Sequence, residues 1–188
     1  MKVSRVVAFV LLFTLIGTTL AFGDSLLGKI RVFVNGKESP EGVLIDGKSY
    51  LPLRELSESL HAMIDWDDSA KQAIIYKPNV HIFLFREKQP FGAVNKGKLT
   101  FNVFSQIDNL QTNIHSVKVT IEDPLGKSTT IQEQEVKNLK EKDNFWFVTE
   151  DIKYDFKTTG KYTVKFFMKR DKAGSYELVA EKVITAKD

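Results

Sequence analysis

Residues 30–77 carry a turn signal at every junction between their apolar runs, and that succession constrains the stretch to strand, hairpin, short helix and second hairpin. Val32, Phe33 and Val34 lead into Asn35-Gly36, a pair that supplies the positive φ angles of a tight hairpin turn. Residues 43–45 and 49–51 flank Asp46-Gly47-Lys48, a second such signal. Pro52 suits the first position of a helix, where an N–H would have no partner anyway. Leu53, Leu56 and Leu60 then recur at i, i+3 and i+7, which predicts an inner apolar stripe, while Arg54, Glu55, Ser57 and Glu58 point to water. Met63, Ile64 and Trp66 run into the polar turn Asp67-Asp68-Ser69-Ala70-Lys71, after which residues 72–76 return as a strand.

Three segments in this stretch, Val34-Asn35-Gly36, Tyr50-Leu51-Pro52-Leu53-Arg54 and Trp66-Asp67, resemble by their order and spacing the copper amine oxidase-like N-terminal domain, or stalk domain, over about a quarter of the chain. The resemblance implies a small antiparallel sheet wrapped around one helix, over residues 24–78, and a place in the bacterial cell envelope. It does not imply copper chemistry, because in the amine oxidases the metal and the quinone belong to a separate catalytic domain. Copper is held by clustered imidazoles, whereas His61, His81 and His115 fall singly on separate predicted elements, and the asparagine-tyrosine pair of the quinone precursor is absent. No metal, no cofactor and no catalytic residue is expected.

Ahead of this domain, Lys2 and Arg5 precede an apolar run over residues 6–16, and Ala21-Phe22-Gly23 places small residues where a signal peptidase reads. Residues 1–23 are therefore predicted to be a secretory signal peptide, the run being shorter than the roughly 18 residues that span a bilayer. The chain has no cysteine, which excludes both a disulfide framework and a lipid-modified N-terminal cysteine. Without Lys2 and Arg5 the remainder carries 25 basic and 24 acidic residues, a balance unlike the clustered positive surface that binds nucleic acid. No transmembrane span is expected after cleavage.

Beyond Lys77-Pro78-Asn79, which reads as a short linker, strands are predicted at residues 80–86, 99–105, 116–122, 128–135, 144–149, 160–170 and 176–185. Val117, Val119 and Ile121, and again Tyr162, Val164, Phe166 and Met168, keep the period of half-buried antiparallel strands. Residues 156–162 read as a tyrosine corner, with Tyr162 opening the sixth strand. The expected fold is mainly β: a signal peptide, a small α+β stalk-type domain, and an immunoglobulin-like β-sandwich over residues 79–188. Trp146, inside the fifth predicted strand, is expected to fill the interior of that sandwich.

Gly23-Asp24-Ser25-Leu26 spells the opening block of one class of secreted esterases. Ser25 lacks the aspartate-x-x-histidine pair and the parallel sheet that would activate it, and the block straddles the predicted cleavage site. Asp65, Asp67 and Asp68 could gather calcium but lack the glycine and distant glutamate of a complete loop, so a solvated turn is the expectation. Residues 87–98 are long for a hairpin, and Pro90, Phe91 and Gly92 form a candidate contact loop. The alternative is that Phe91 tucks over an open edge of the core. Taken together these residues imply a secreted, non-catalytic surface-associated or interaction protein whose partner is a protein or a cell-envelope polymer. A secreted inhibitor of an extracellular enzyme, presenting the Phe91 loop, is the alternative.

Overall fold

The computed structural model describes residues 28–136 and 143–188. The predicted signal peptide and Ser25 lie outside the described residues. The fold is mainly β, with one short helix among the described residues, and the chain divides into two compact units, the second running from Arg54 to Asp188.

In the first unit β1 (Gly28–Val34), β2 (Lys37–Ile45) and β3 (Lys48–Tyr50) form an antiparallel meander in that order. Both turns are those the sequence predicts: Asn35 and Gly36 stand at φ 51° and 77°, Asp46 and Gly47 at 49° and 73°. A pair of positive φ angles lets the turn twist with its strands instead of splaying them. Gly42 is held for another reason. A Cβ there would come within 2.7 Å of Leu51 and 2.9 Å of Ile30, so the sheet closes over the bare backbone.

The second unit begins inside α1 (Leu53–Ser59). Its inner face is not the leucine stripe that the spacing predicts: Leu53 and Leu60 are 47% and 46% exposed, and the buried residue is Ser57. The helix is too short to carry the stripe, since Leu60 already lies beyond its last residue. The chain leaves it through a Schellman closure, with the Ala62 N–H on the Ser57 carbonyl at 2.8 Å and the His61 N–H on the Glu58 carbonyl at 3.0 Å. His61 consequently sits at φ 53°, a conformation that favours glycine. His61→Gly is expected to raise stability by about 0.5–1 kcal/mol, read as a higher melting temperature; a lower one would mean that the imidazole's contacts outweigh the backbone strain.

β4 (Met63–Asp67) and β5 (Gln72–Tyr76) pair as an antiparallel hairpin that belongs with the chain after it. Met63 is fully buried in the core shared by the large sheets. The Ile64 N–H donates to Glu177 Oε1 at 3.1 Å, and the Ile64 carbonyl accepts from Arg170 Nη2 at 2.9 Å. The compact units therefore part at Leu53 and Arg54, ahead of the Pro78-Asn79 junction expected as a linker. Pro78 is itself buried, and a strand begins at Asn79.

The remaining strands are β6 (Asn79–Arg86), β7 (Gln89–Pro90), β8 (Ala93–Asn95), β9 (Gly97–Asp108), β10 (Ser116–Glu122), β11 (Ser128–Glu135), β12 (Phe145–Val148), β13 (Ile152–Phe156), β14 (Gly160–Lys169) and β15 (Glu177–Lys187). One sheet has the order β11-β10-β14-β15-β8; the other has β12-β9-β6-β7, with β13 also paired to β9. Phe101, Val103 and Ile107 of the second sheet and Val119, Val164 and Phe166 of the first turn inward into one core. The rings of Phe147 and Phe166 meet across it at 6.0 Å. All seven strands predicted beyond residue 79 are present, and β7, β8 and β13 are additional.

The tyrosine corner is present. The buried Tyr162 hydroxyl donates to the Thr158 carbonyl at 3.0 Å and accepts from the Thr158 N–H at 3.2 Å. Tyr162→Phe is expected to cost about 1–2 kcal/mol, because it strands two backbone groups; unchanged denaturant unfolding would remove the corner from the account of stability. Trp146 differs from expectation: it is 71% exposed, and Phe147 takes the interior place. In an apolar run such as Phe145-Trp146-Phe147-Val148 the local pattern does not say which parity faces in, and a shift of one residue exchanges the faces.

Candidate functional site

The outward face of the β12-β9-β6 sheet is where the fold gathers large exposed side chains. Strand alternation puts Ile82 and Leu84 of β6 into the core and turns His81, Phe83 and Phe85 outward. In β9 the inward set is Phe101, Val103, Ser105 and Ile107, which leaves Asn102, Phe104, Gln106 and Asp108 outside. Register then aligns these positions into ranks across the sheet. Phe104 pairs with both Phe83 and Val148; Gln106 pairs with both His81 and Trp146; Asn102 pairs with Phe85.

The rings form one connected cluster. Phe104 lies 6.3 Å from Phe83, 6.3 Å from Phe85 in an edge-on contact, and 6.5 Å from Trp146 at an interplanar angle of 29°. Phe83 and Val148 are about half exposed, so the cluster rests on itself while presenting area to solvent. Amides stand between the rings. Gln106 Nε2 donates to both carboxylate oxygens of Asp108 at 3.2 and 3.0 Å, which fixes the amide plane beside Trp146. Among the described residues this is an exposed aromatic patch with polar groups held in the same ranks, the kind of surface that marks interaction sites. A signal for it lies in the sequence: Ile82-Phe83-Leu84-Phe85 and the run at 145–148 are apolar at both parities, which puts large side chains on both faces of any strand.

The Phe91 loop is placed otherwise. β7 pairs with β6, and Phe91 turns inward, its ring edge-on to Phe101 at 5.6 Å and packed on the core. Pro90 and Gly92 are exposed beside it, while the Gly92 carbonyl accepts from the Thr185 N–H at 2.9 Å. The loop carries the chain from one sheet to the other, β7 lying in the β12-β9-β6-β7 sheet and β8 at the end of the other.

The three aspartates do not converge on a cation. Asp65 pairs with Arg170 at 2.9 Å, and Asp68 Oδ1 accepts from Trp66 Nε1 at 3.0 Å. Asp67 Oδ1 accepts from the Ser69 hydroxyl and from the backbone N–H of Ser69 and Ala70, and the Ser69 hydroxyl, followed by the Ala70 N–H, holds its carboxyl below the ordinary range. His61 lies in the turn after α1, His81 faces outward from β6, and His115 precedes β10, where it lies 3.8 Å from Glu135. Among the described residues no three His, Asp or Glu side chains are grouped as metal ligands, and these scattered imidazoles do not fit copper. A cleft of about 350 Å³ near Arg54, Glu58 and Tyr176 includes Glu177, which is engaged by Ile64 and Arg170.

The family model described as the copper amine oxidase N-terminal domain matches residues 33–135, a stretch that begins in β1 and runs through the end of β11. No curated protein matches the chain.

Proposed function

This chain belongs to the copper amine oxidase N-terminal domain family, and we propose that it is a secreted, non-catalytic interaction protein of the bacterial cell envelope. The observation that carries the reading is the ring cluster of Phe83, Phe85, Phe104 and Trp146 on a two-sheet scaffold, in which Phe83 and Trp146 are exposed and Phe85 and Phe104 half-buried. Rings left in water on a sheet face cost solubility and are kept where a partner covers them. The scaffold suits the task. We read it as immunoglobulin-like on its connectivity: β6 and β8, two parts of one edge segment, divide between the sheets, β14 follows a tyrosine corner, and β13 and β14 face each other across the interior. Export is supported by the charged start, the apolar run and the small residues before Asp24.

The test is fractionation of cells expressing the full chain, with the N-terminus of the recovered protein sequenced. The expected result is a chain beginning at Asp24 in the culture medium or the wall fraction. Retention of an uncleaved chain in the cytosol would sink the reading.

A further inference from the structure

We infer that the outward face of the β12-β9-β6 sheet binds a neutral, hydroxyl-rich polysaccharide chain, its sugar rings lying on Trp146, Phe104 and Phe83. The inference rests on the interaction reading above and names the partner class of that same face. Three features of the face choose the occupant. The first is size. Strands about 4.8 Å apart and outward positions about 7 Å apart give a patch of roughly 300–400 Å² with its margins, below half of the about 800 Å² that each partner gives to a stable protein interface. The patch matches roughly two to three linked sugar rings on the same spacing.

The second feature is charge. The three ranks that hold the rings contain no lysine and no arginine, and the outward ranks on either side of them set one cation, Lys153 beside Thr100, against one carboxylate, Asp108 beside Asn79. A polyanion or an anionic membrane surface would be met by cations at the rim. The third is chemistry. One face of a pyranose ring presents C–H bonds, whose positive edge suits the negative face of an aromatic ring, while its rim carries hydroxyls that are both donors and acceptors. The sheet supplies both halves in register: Trp146 beside Gln106, and Phe85 beside Asn102. Gln106 is oriented in advance by Asp108, so little side-chain freedom is lost on binding. The face is a sheet surface, not a concave pocket of the kind that encloses small molecules, so it suits a polymer lying along it.

The experiment is co-sedimentation of the purified full chain with three neutral polymers: insoluble cellulose, chitin and insoluble β-1,3-glucan. Saturable retention on at least one of them is expected, weakened at least tenfold in Trp146→Ala and in Phe83→Ala. Leu125→Ala, which removes an 84% exposed side chain elsewhere, should leave retention unchanged. Unaltered melting curves establish that the variants fold. Retention on none of the three, or retention that Trp146→Ala leaves intact, would overturn the proposal. So would a concentration-dependent dimer in sedimentation velocity that Trp146→Ala abolishes, which would assign the face to a second copy. Wild-type protein that stays with cell-wall fractions but binds none of the polysaccharides would overturn this inference and leave the interaction reading standing.

Discussion

Phe156→Ala is expected to lower the stability of the second unit by about 3–5 kcal/mol, the cost of emptying a fully buried aromatic site. Phe156 ends β13, a strand of five residues whose backbone pairs, among the described residues, with β9. Its ring has no exposure and meets Tyr154 and Tyr162 at 4.9 Å and Phe101 at 6.2 Å. Those contacts join the two sheets beside the tyrosine corner, so the loss should couple to Tyr162→Phe and the double variant should depart from additivity. Urea unfolding followed by tryptophan fluorescence measures both, Trp66 and Trp146 lying in the same unit. A loss below about 1 kcal/mol would mean that β13 contributes little to the core.

Arg170→Ala is expected to cost about 2 kcal/mol, the worth of charge-assisted hydrogen bonds at a half-shielded site. Arg170 binds the Ile64 carbonyl, pairs with Asp65 at 2.9 Å and with Glu177 at 3.4 Å, and lies over the Tyr76 ring at 5.9 Å. Without it Glu177 keeps only the Ile64 N–H at the hairpin. The effect should be local: amide exchange of residues 63–76 speeds up while the sheets stay protected. Arg31→Ala removes a pair whose side chains are 73% and 51% exposed and is expected to change nothing measurable. Equal exchange of the hairpin in wild type and Arg170→Ala would show that Met63 burial alone holds it.

Turns and long strands were legible because each has a local cause. Asn35-Gly36 and Asp46-Gly47 announce their φ angles, and the alternation in β14 survives in its burial, whereas in β10 Ser116 and Thr120 are buried along with the inward Val117, Val119 and Ile121. The elements that escaped are those whose identity depends on a distant partner. β7 and β8, of two and three residues, are strands only because β6 and β15 run beside them. β13 alternates Ile152, Tyr154 and Phe156 with Lys153 and Asp155, but it follows β12 too closely for a turn signal to set it apart. The aromatic face was hidden by parity. Nothing local to residues 145–148 says whether Trp146 or Phe147 enters the core, and reading Trp146 as interior removed the exposed member of the cluster. The leucine stripe failed for the opposite reason, a clear local period on a helix that ends before the period completes.

The pairing of β8 with β15 has a mechanical consequence. The two strands run parallel, Thr185 to Lys187 beside Ala93 to Asn95, and the ladder is continued by the Lys96 N–H on the Lys187 carbonyl at 2.8 Å. Tension applied between the start of β6 and the C-terminus pulls parallel neighbours in opposite directions along their length, so their hydrogen bonds are sheared together. An antiparallel pair pulled from one end opens bond by bond. The C-terminal unit is therefore built to bear load along the chain, and single-molecule extension should show one high rupture force that Val94→Pro, by removing a ladder position in β8, reduces. A rupture force insensitive to that change would place the clamp elsewhere. A protein that tethers one body to another under flow or turgor needs this resistance more than it needs thermodynamic stability.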